Sequence, residues 1–275
     1  MNKGLNAVKN IFWMLTLIVA VIAVLVGTVF AVSRKFYGDR LDGALDIRSE
    51  KVTQVKKPSA SQAPAGGDGL IELNGTQDAG IEYVLSLTYL CDSTIIGLND
   101  YASGLGNAKA NMWTDSGTGL TAAAAGDTMI VSPSDSSQLT PVNAAMVYQP
   151  KRLVIYIGGD GLASATEESF TAGYKKLIES VLASSPNTSV VCCSIGSIAA
   201  AYTGSDGLTV EQFAEANKWI ESVCRETGVK FADLSSILNG ENGYLKVEYA
   251  APDGRSLNSA GINELINYFR YHASF

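Results

Sequence analysis

One serine and three carboxylates in this chain have types and spacings that could do chemistry. The run Thr88-Tyr89-Leu90 is apolar and β-branched and stops at Cys91-Asp92-Ser93, with Gly97 four residues beyond the serine. The pattern predicts a buried strand that delivers Ser93 to the carboxyl edge of a sheet, where α/β proteins place their sites. A serine held there can serve as a nucleophile, and its own backbone N–H can help hold an oxyanion. On these three residues alone, an ordinary N-cap serine is the stronger reading. Asp160 follows a second strong strand, within Gly158-Gly159-Asp160-Gly161. Asp253 opens the turn Asp253-Gly254-Arg255-Ser256, just before a closing helix. The sole histidine, His272, comes 16 residues after Ser256. Along a helix that is on the order of 20 Å from Ser256. His272 reads as a helix C-terminal residue, where its charge suits the dipole.

These groups need elements to position them. Residues 83–90 read as a first strand, 152–157 as a second, 189–195 as a third and 229–232 as a short fourth. Between them lie helical patterns. Thr166 can cap a helix with Phe170, Tyr174, Leu177, Ile178, Val181 and Leu182 on one face, broken at Pro186-Asn187. Thr209 and Gln212 have capping-box spacing before a helix burying Phe213, Ala216 or Asn217, Ile220 and Val223, ended by Gly228. Asn258 or Ser259 caps the last helix, with Ile262, Leu265, Ile266 and Phe269 on one face. Alternating strands and helices predict a parallel sheet covered on both sides.

Upstream of this the chain changes character. Residues 11–32 are uncharged and mostly apolar, and 22 residues can cross a bilayer as a helix. The competing reading is a cleaved signal peptide, for which Val29-Phe30-Ala31 is a passable site; signal cores are usually about 7–15 residues, which favours an uncleaved anchor. Lys56-Lys57-Pro58-Ser59 and the Ala-, Pro- and Gly-rich residues up to Gly67 read as a tether. The expected organisation is a short tail (1–10), a transmembrane anchor (11–32), a flexible linker (33–80) and a folded domain (81–275). The long polar linker favours an extracytoplasmic domain, although Arg34, Lys35 and Arg40 behind the span count the other way.

Charge is divided along the chain. Residues 1–57 carry net +5 and the remainder net −12. The basic part can touch anionic headgroups. The acidic globular part argues against a nucleic-acid partner. The four cysteines form no Cys-x-x-Cys pair and read as small buried hydrophobes. No cofactor is expected and no metal site is assigned. Asp92, Asp160 and Asp253 should share the sheet edge, and a hard cation held by them is the minor reading.

Placed in order, these blocks resemble the SGNH/GDSL hydrolases over about residues 81–275. The first block matches as Cys91-Asp92-Ser93, with cysteine where the family has glycine. The second resembles Trp113-Thr114-Asp115-Ser116-Gly117-Thr118-Gly119, which makes Gly117 a candidate oxyanion donor. The third falls on Gly158-Gly159-Asp160-Gly161 and the fifth on Asp253-Gly254-Arg255-Ser256. Ala216-Asn217-Lys218-Trp219-Ile220 and Asn242-Gly243-Tyr244-Leu245 resemble a membrane-anchored subgroup from clostridial-type bacteria. The resemblance implies a three-layer α/β/α flavodoxin-like fold, with Ser93 as nucleophile, Asp253 orienting a base, and Ser93, Gly117 and residue 160 around the oxyanion.

Two positions depart from the family. Its catalytic histidine is replaced by Ser256, whose hydroxyl is no base near neutral pH. Its oxyanion asparagine is replaced by Asp160, and an ionised carboxylate has no hydrogen to donate. The expectation is a membrane-anchored, extracytoplasmic hydrolase-like protein with impaired catalysis. It would bind or scaffold at the cell envelope, with an acylated glycan or lipid as ligand. The alternative is an active serine esterase using Ser93 with Asp160 or Asp253 as an unconventional base.

Overall fold

The computed structural model describes residues 69–99, 111–115 and 119–275. Its strands are β1 (Ile71–Glu72), β2 (Thr88–Cys91), β3 (Asn111–Asp115), β4 (Ile130–Val131), β5 (Gln138–Leu139), β6 (Arg152–Tyr156), β7 (Ser189–Cys193) and β8 (Lys230–Ala232). They form one sheet in the order β1-β8-β7-β6-β2-β3-β4-β5. Pairing is parallel from β1 through β3, and β4 and β5 extend that edge antiparallel. All of β2 and the last four residues of β6 and of β7 are buried. Strands buried without alternation are covered on both faces, as expected of a parallel sheet.

The helices are α1 (Gly80–Leu85), α2 (Pro141–Tyr148), α3 (Glu167–Ser184), α4 (Val210–Thr227), α5 (Ser235–Leu238) and α6 (Ser259–Tyr271). They pack in two sets: α3 touches α2 and α4, while α6 touches α1 and α5. The expected α/β architecture with a mostly parallel sheet is therefore present.

Local chemistry explains the long helices. Thr166 and Ser169 form a reciprocal capping box at α3, and Phe170, Tyr174, Leu177, Ile178 and Val181 are buried. Thr209 and Gln212 do the same at α4, and Gly228 ends it in the left-handed region at φ 69°. Ala216 takes the core position on α4. Asn217 instead bonds the backbone N–H and C=O of Ile195, tying the helix to the end of β7. Asn258 caps α6 by accepting from the N–H groups of Ala260 and Gly261.

The first expected strand is divided. Residues 80–85 are helical, Ser86 turns the chain by folding its N–H and hydroxyl back on Tyr83 O, and β2 begins only at Thr88. A short apolar run fits either period, and packing decides it here: Val84 enters the core while the Tyr83 ring lies under Arg152 and beside Phe275. The sheet also takes in Ile71–Glu72, which pair with Lys230 and Phe231, although these residues fall within the expected linker. The β4–β5 edge and α2 carry signals that the strand–helix alternation did not use: Thr140 caps α2, and Pro141 occupies its first turn.

All four cysteines are buried free thiols. The apolar run 11–32 and most of the expected linker lie outside the described residues. Among the described residues, no helix is long and apolar enough to cross a membrane.

Candidate active site

Strand β2 pairs with β3 on one side and β6 on the other, so chain connections leave it in opposite directions. The crevice beyond the carboxyl ends of such strands is the usual ligand position of an open α/β sheet. Ser93 stands there. It opens a 3-10 turn (Ser93–Ile95) directly after β2 and is exposed to solvent.

Asp92 is the fixed point beneath it. This fully buried carboxylate accepts from the backbone N–H and hydroxyl of Thr94 at 3.0 and 2.6 Å. Its other oxygen accepts from the N–H groups of Gly158, Gly159 and Asp160 at 3.1, 2.9 and 3.4 Å. One side chain thus ties the turn after β2 to the loop after β6. Gly158 adopts φ 140°, and a Cβ there would meet the Phe170 ring at 3.0 Å, so the loop needs glycine on both counts. Burial, and next the charge of Asp160, push the Asp92 carboxyl above its ordinary value, against the opposing pull of the Thr94 and Gly159 donors.

The loop held by Asp92 presents Asp160 to Ser93. The Ser93 hydroxyl donates to Asp160 Oδ1 at 2.7 Å, and the Ser93 backbone N–H donates to Asp160 Oδ2 at 3.0 Å. Arg255 Nη2 reaches the same Oδ1 at 2.6 Å, an ion pair with side chains 22% and 10% exposed. The second nitrogen on that side chain, Nε, is buried without a hydrogen-bond partner.

The turn that carries Arg255 is anchored from both ends. Leu257 N–H donates to Thr94 O at 2.9 Å, and Ala199 N–H donates to Gly254 O at 2.7 Å. Within it, Asp253 accepts from the N–H groups of Arg255 and Ser256 and from the Ser256 hydroxyl at 2.6 Å. Burial pushes the Asp253 carboxyl upward. The Ser256 hydroxyl, these two N–H groups and the Arg255 charge together outweigh it and hold the group below its ordinary value.

The structure therefore brings Ser93, Asp160, Asp253 and Ser256 to one edge of the sheet, in two adjoining pairs. Gly117 lies outside the described residues; next to it, Gly119 N–H donates to Asp115 Oδ2 at 2.6 Å. His272 sits at the far end of α6, stacked on the Tyr268 ring with its Nδ1 against Tyr268 O at 2.8 Å. The cation reading is not carried: among the described residues no group of three His, Cys, Asp or Glu could hold a metal ion. The Asp92 oxygens instead face N–H and O–H donors. Arg255 is the participant that the sequence left unassigned. The available signal was a lone cation inside the fifth block, two residues after one aspartate and able to reach another.

A model of the GDSL-like lipase/acylhydrolase family matches residues 89–265. The chain belongs to this family. The match runs from the start of β2 to within α6 and so takes in Ser93, Asp160 and the Asp253 turn. A candidate acylhydrolase from Bacteroides fragilis has a similar structure, with TM-score 0.51 at 16% identity, covering 72% of this chain and 89% of that one. A candidate SGNH hydrolase from Slackia heliotrinireducens gives TM-score 0.50 at 14% identity, covering 72% and 98%. At these identities the likeness concerns the fold. No curated protein matches the chain.

Proposed function

We propose that this GDSL-family protein is a membrane-anchored, extracytoplasmic hydrolase-like protein whose ester hydrolysis is impaired, and that it binds or scaffolds at the cell envelope. The observation that carries the impairment is the Asp160 carboxylate, hydrogen-bonded to both the N–H and the hydroxyl of Ser93. Acyl transfer needs that N–H for the developing oxyanion and a base for the hydroxyl proton. Here a negative group occupies the place where negative charge would develop. No imidazole is at hand, since the sole histidine is engaged with Tyr268.

One observation favours the second reading, an active serine esterase. Asp160 Oδ1 lies 2.7 Å from the Ser93 hydroxyl oxygen, within reach of its proton. Against it, the same oxygen is already engaged by Arg255 Nη2 at 2.6 Å. A single group also cannot vacate the oxyanion position and remain on the hydroxyl.

The test is hydrolysis of an activated short-chain aryl ester by the full chain in detergent, beside Ser93→Ala. The expected result is turnover at most marginally above that control, with weak labelling by a fluorophosphonate. Robust Ser93-dependent turnover selects the second reading.

The anchor rests on the apolar run 11–32, and the outward orientation on the polar tether behind it. The resemblance to a membrane-anchored subgroup supports both, and an acylated glycan or lipid is the ligand class it suggests. A tether running from residue 33 to the start of β1 would have a reach on the order of 35 Å. Protease added to spheroplasts should remove the domain and leave a short membrane stub. Protection until the membrane is opened would invert the orientation, and a mature chain beginning at Val32 in the medium would make the run a cleaved signal.

A further inference from the structure

We propose that Ser93 and Arg255 form a seat for a carboxylate, which the resting protein fills with its own Asp160, so that the ligands able to enter are those bringing a carboxylate of their own. The inference deepens the binding role proposed above and rests on the reading that Asp160 occupies the oxyanion position.

The seat is defined by its donors. Ser93 supplies an N–H at 3.0 Å and an O–H at 2.7 Å, and Arg255 supplies Nη2 at 2.6 Å. Two neutral donors and one fixed cation around two oxygens make a carboxylate site, because charge-assisted bonds of this kind are shorter and stronger than neutral ones. The donors come from distant parts of the chain, and Asp160 reaches them from a third, the loop after β6.

Asp160 does not satisfy the seat fully. Its backbone is tied to Asp92, and its side chain meets only Nη2 of Arg255. Nε stays buried and unpartnered, an uncommon condition for a guanidinium nitrogen. A free carboxylate has no such tether and can span Nε and Nη2 together, the two-point geometry that guanidinium favours. The internal carboxylate nonetheless has a high effective concentration, because it is already in place. A free monocarboxylate therefore competes poorly with it, and the seat opens when Asp160 is removed. Acylated envelope polymers that also carry carboxylates have the matching chemistry.

The test titrates sodium acetate into the full chain in detergent by calorimetry, against sodium chloride at equal ionic strength and against neutral acetamide. Asp160→Ala should bind acetate at least tenfold more tightly than wild type, and acetamide should not compete. Adding Arg255→Gln to Asp160→Ala should weaken acetate at least tenfold. Should Asp160→Ala misfold, Asp160→Asn is titrated in its place, with the same order expected. Acetate binding no tighter in the Asp160 variant, or unchanged by Arg255→Gln, overturns the proposal. The readout is binding, so it fails or succeeds separately from the ester assay, in which only wild-type turnover decides whether catalysis is impaired.

Discussion

Ser93 gives its hydroxyl to Asp160 at 2.7 Å, and Ser256 gives its hydroxyl to Asp253 at 2.6 Å, yet the two pairs are built differently. The second is local. Asp253 and Ser256 are three residues apart in an exposed turn, and the carboxylate closes that turn on two of its own N–H groups. Such aspartates stabilise turns wherever they occur. The first joins residues 67 positions apart, places a buried carboxylate on a serine, and is completed by an arginine from the neighbouring pair's own turn. A serine–aspartate distance therefore says little about chemistry. What distinguishes the pairs is which donors surround the carboxylate and what else would occupy that space.

Exchanging the chemistry of the pairs is the strongest way to break the comparison. Asp160→Asn removes the negative charge from Ser93 and supplies an amide donor. Ser256→His places an imidazole where the present hydroxyl meets Asp253, ready to be oriented by it. A positioned base contributes typically about 10²–10⁴ in rate and an oxyanion donor about 10²–10³. The double variant should therefore hydrolyse an activated aryl ester on the order of 10²-fold faster than the same variant carrying Ser93→Ala. A folded double variant with inert Ser93 would overturn the proposal that these two pairs impair the site.

The second prediction concerns the support of the first pair. Asp92→Ala leaves the N–H groups of Gly158 and Gly159 and both Thr94 donors without their acceptor in a buried place. Each stranded donor costs about 1–3 kcal/mol, less where a water enters. A loss of about 3 kcal/mol in denaturant unfolding is expected, well above the effect of Ser256→Ala in the exposed turn. Equal losses for the two variants would mean that Asp92 does not hold the Ser93 turn and the Asp160 loop together.

The contrast also explains what could be read in advance. Residues that act locally were legible: Thr166, Thr209, Gly228 and Asn258 punctuate helices by rules that need no tertiary context. The positions of Ser93 and Asp160 just beyond strand ends followed from the same kind of patterning, and the Asp253 turn from the family resemblance. The division of residues 83–90 into a helix and a strand did not, because Val84 and Tyr83 are fixed by neighbours far along the chain. Nor did the role of Arg255, 95 residues from its partner. Sequence shows an arginine inside the Asp253 turn; it does not show which distant side chain that arginine meets.

The smallest expected effect lies in acid, where the local pair should behave oppositely to the buried aspartate beneath the other. Asp253 titrates below its ordinary value of 3.8, so its contribution to stability is present above that pH and is lost as pH falls through the lowered folded value. Asp92 titrates above 3.8, so its contribution is full below the unfolded value and is lost as pH rises through the raised folded value. Asp253→Asn should therefore flatten the decline of the unfolding midpoint on acidification below about pH 4. Asp92→Asn should instead relieve a penalty present near neutral pH, partly offsetting the acceptors it loses. Asp253 is exposed, so solvent screening keeps its effect slight, and paired thermal melts from pH 2 to pH 7 are needed to resolve it. An acid limb that steepens in Asp253→Asn would show that the turn carboxylate is not held ionised by its local donors, and the difference between the two pairs would then lie in burial alone.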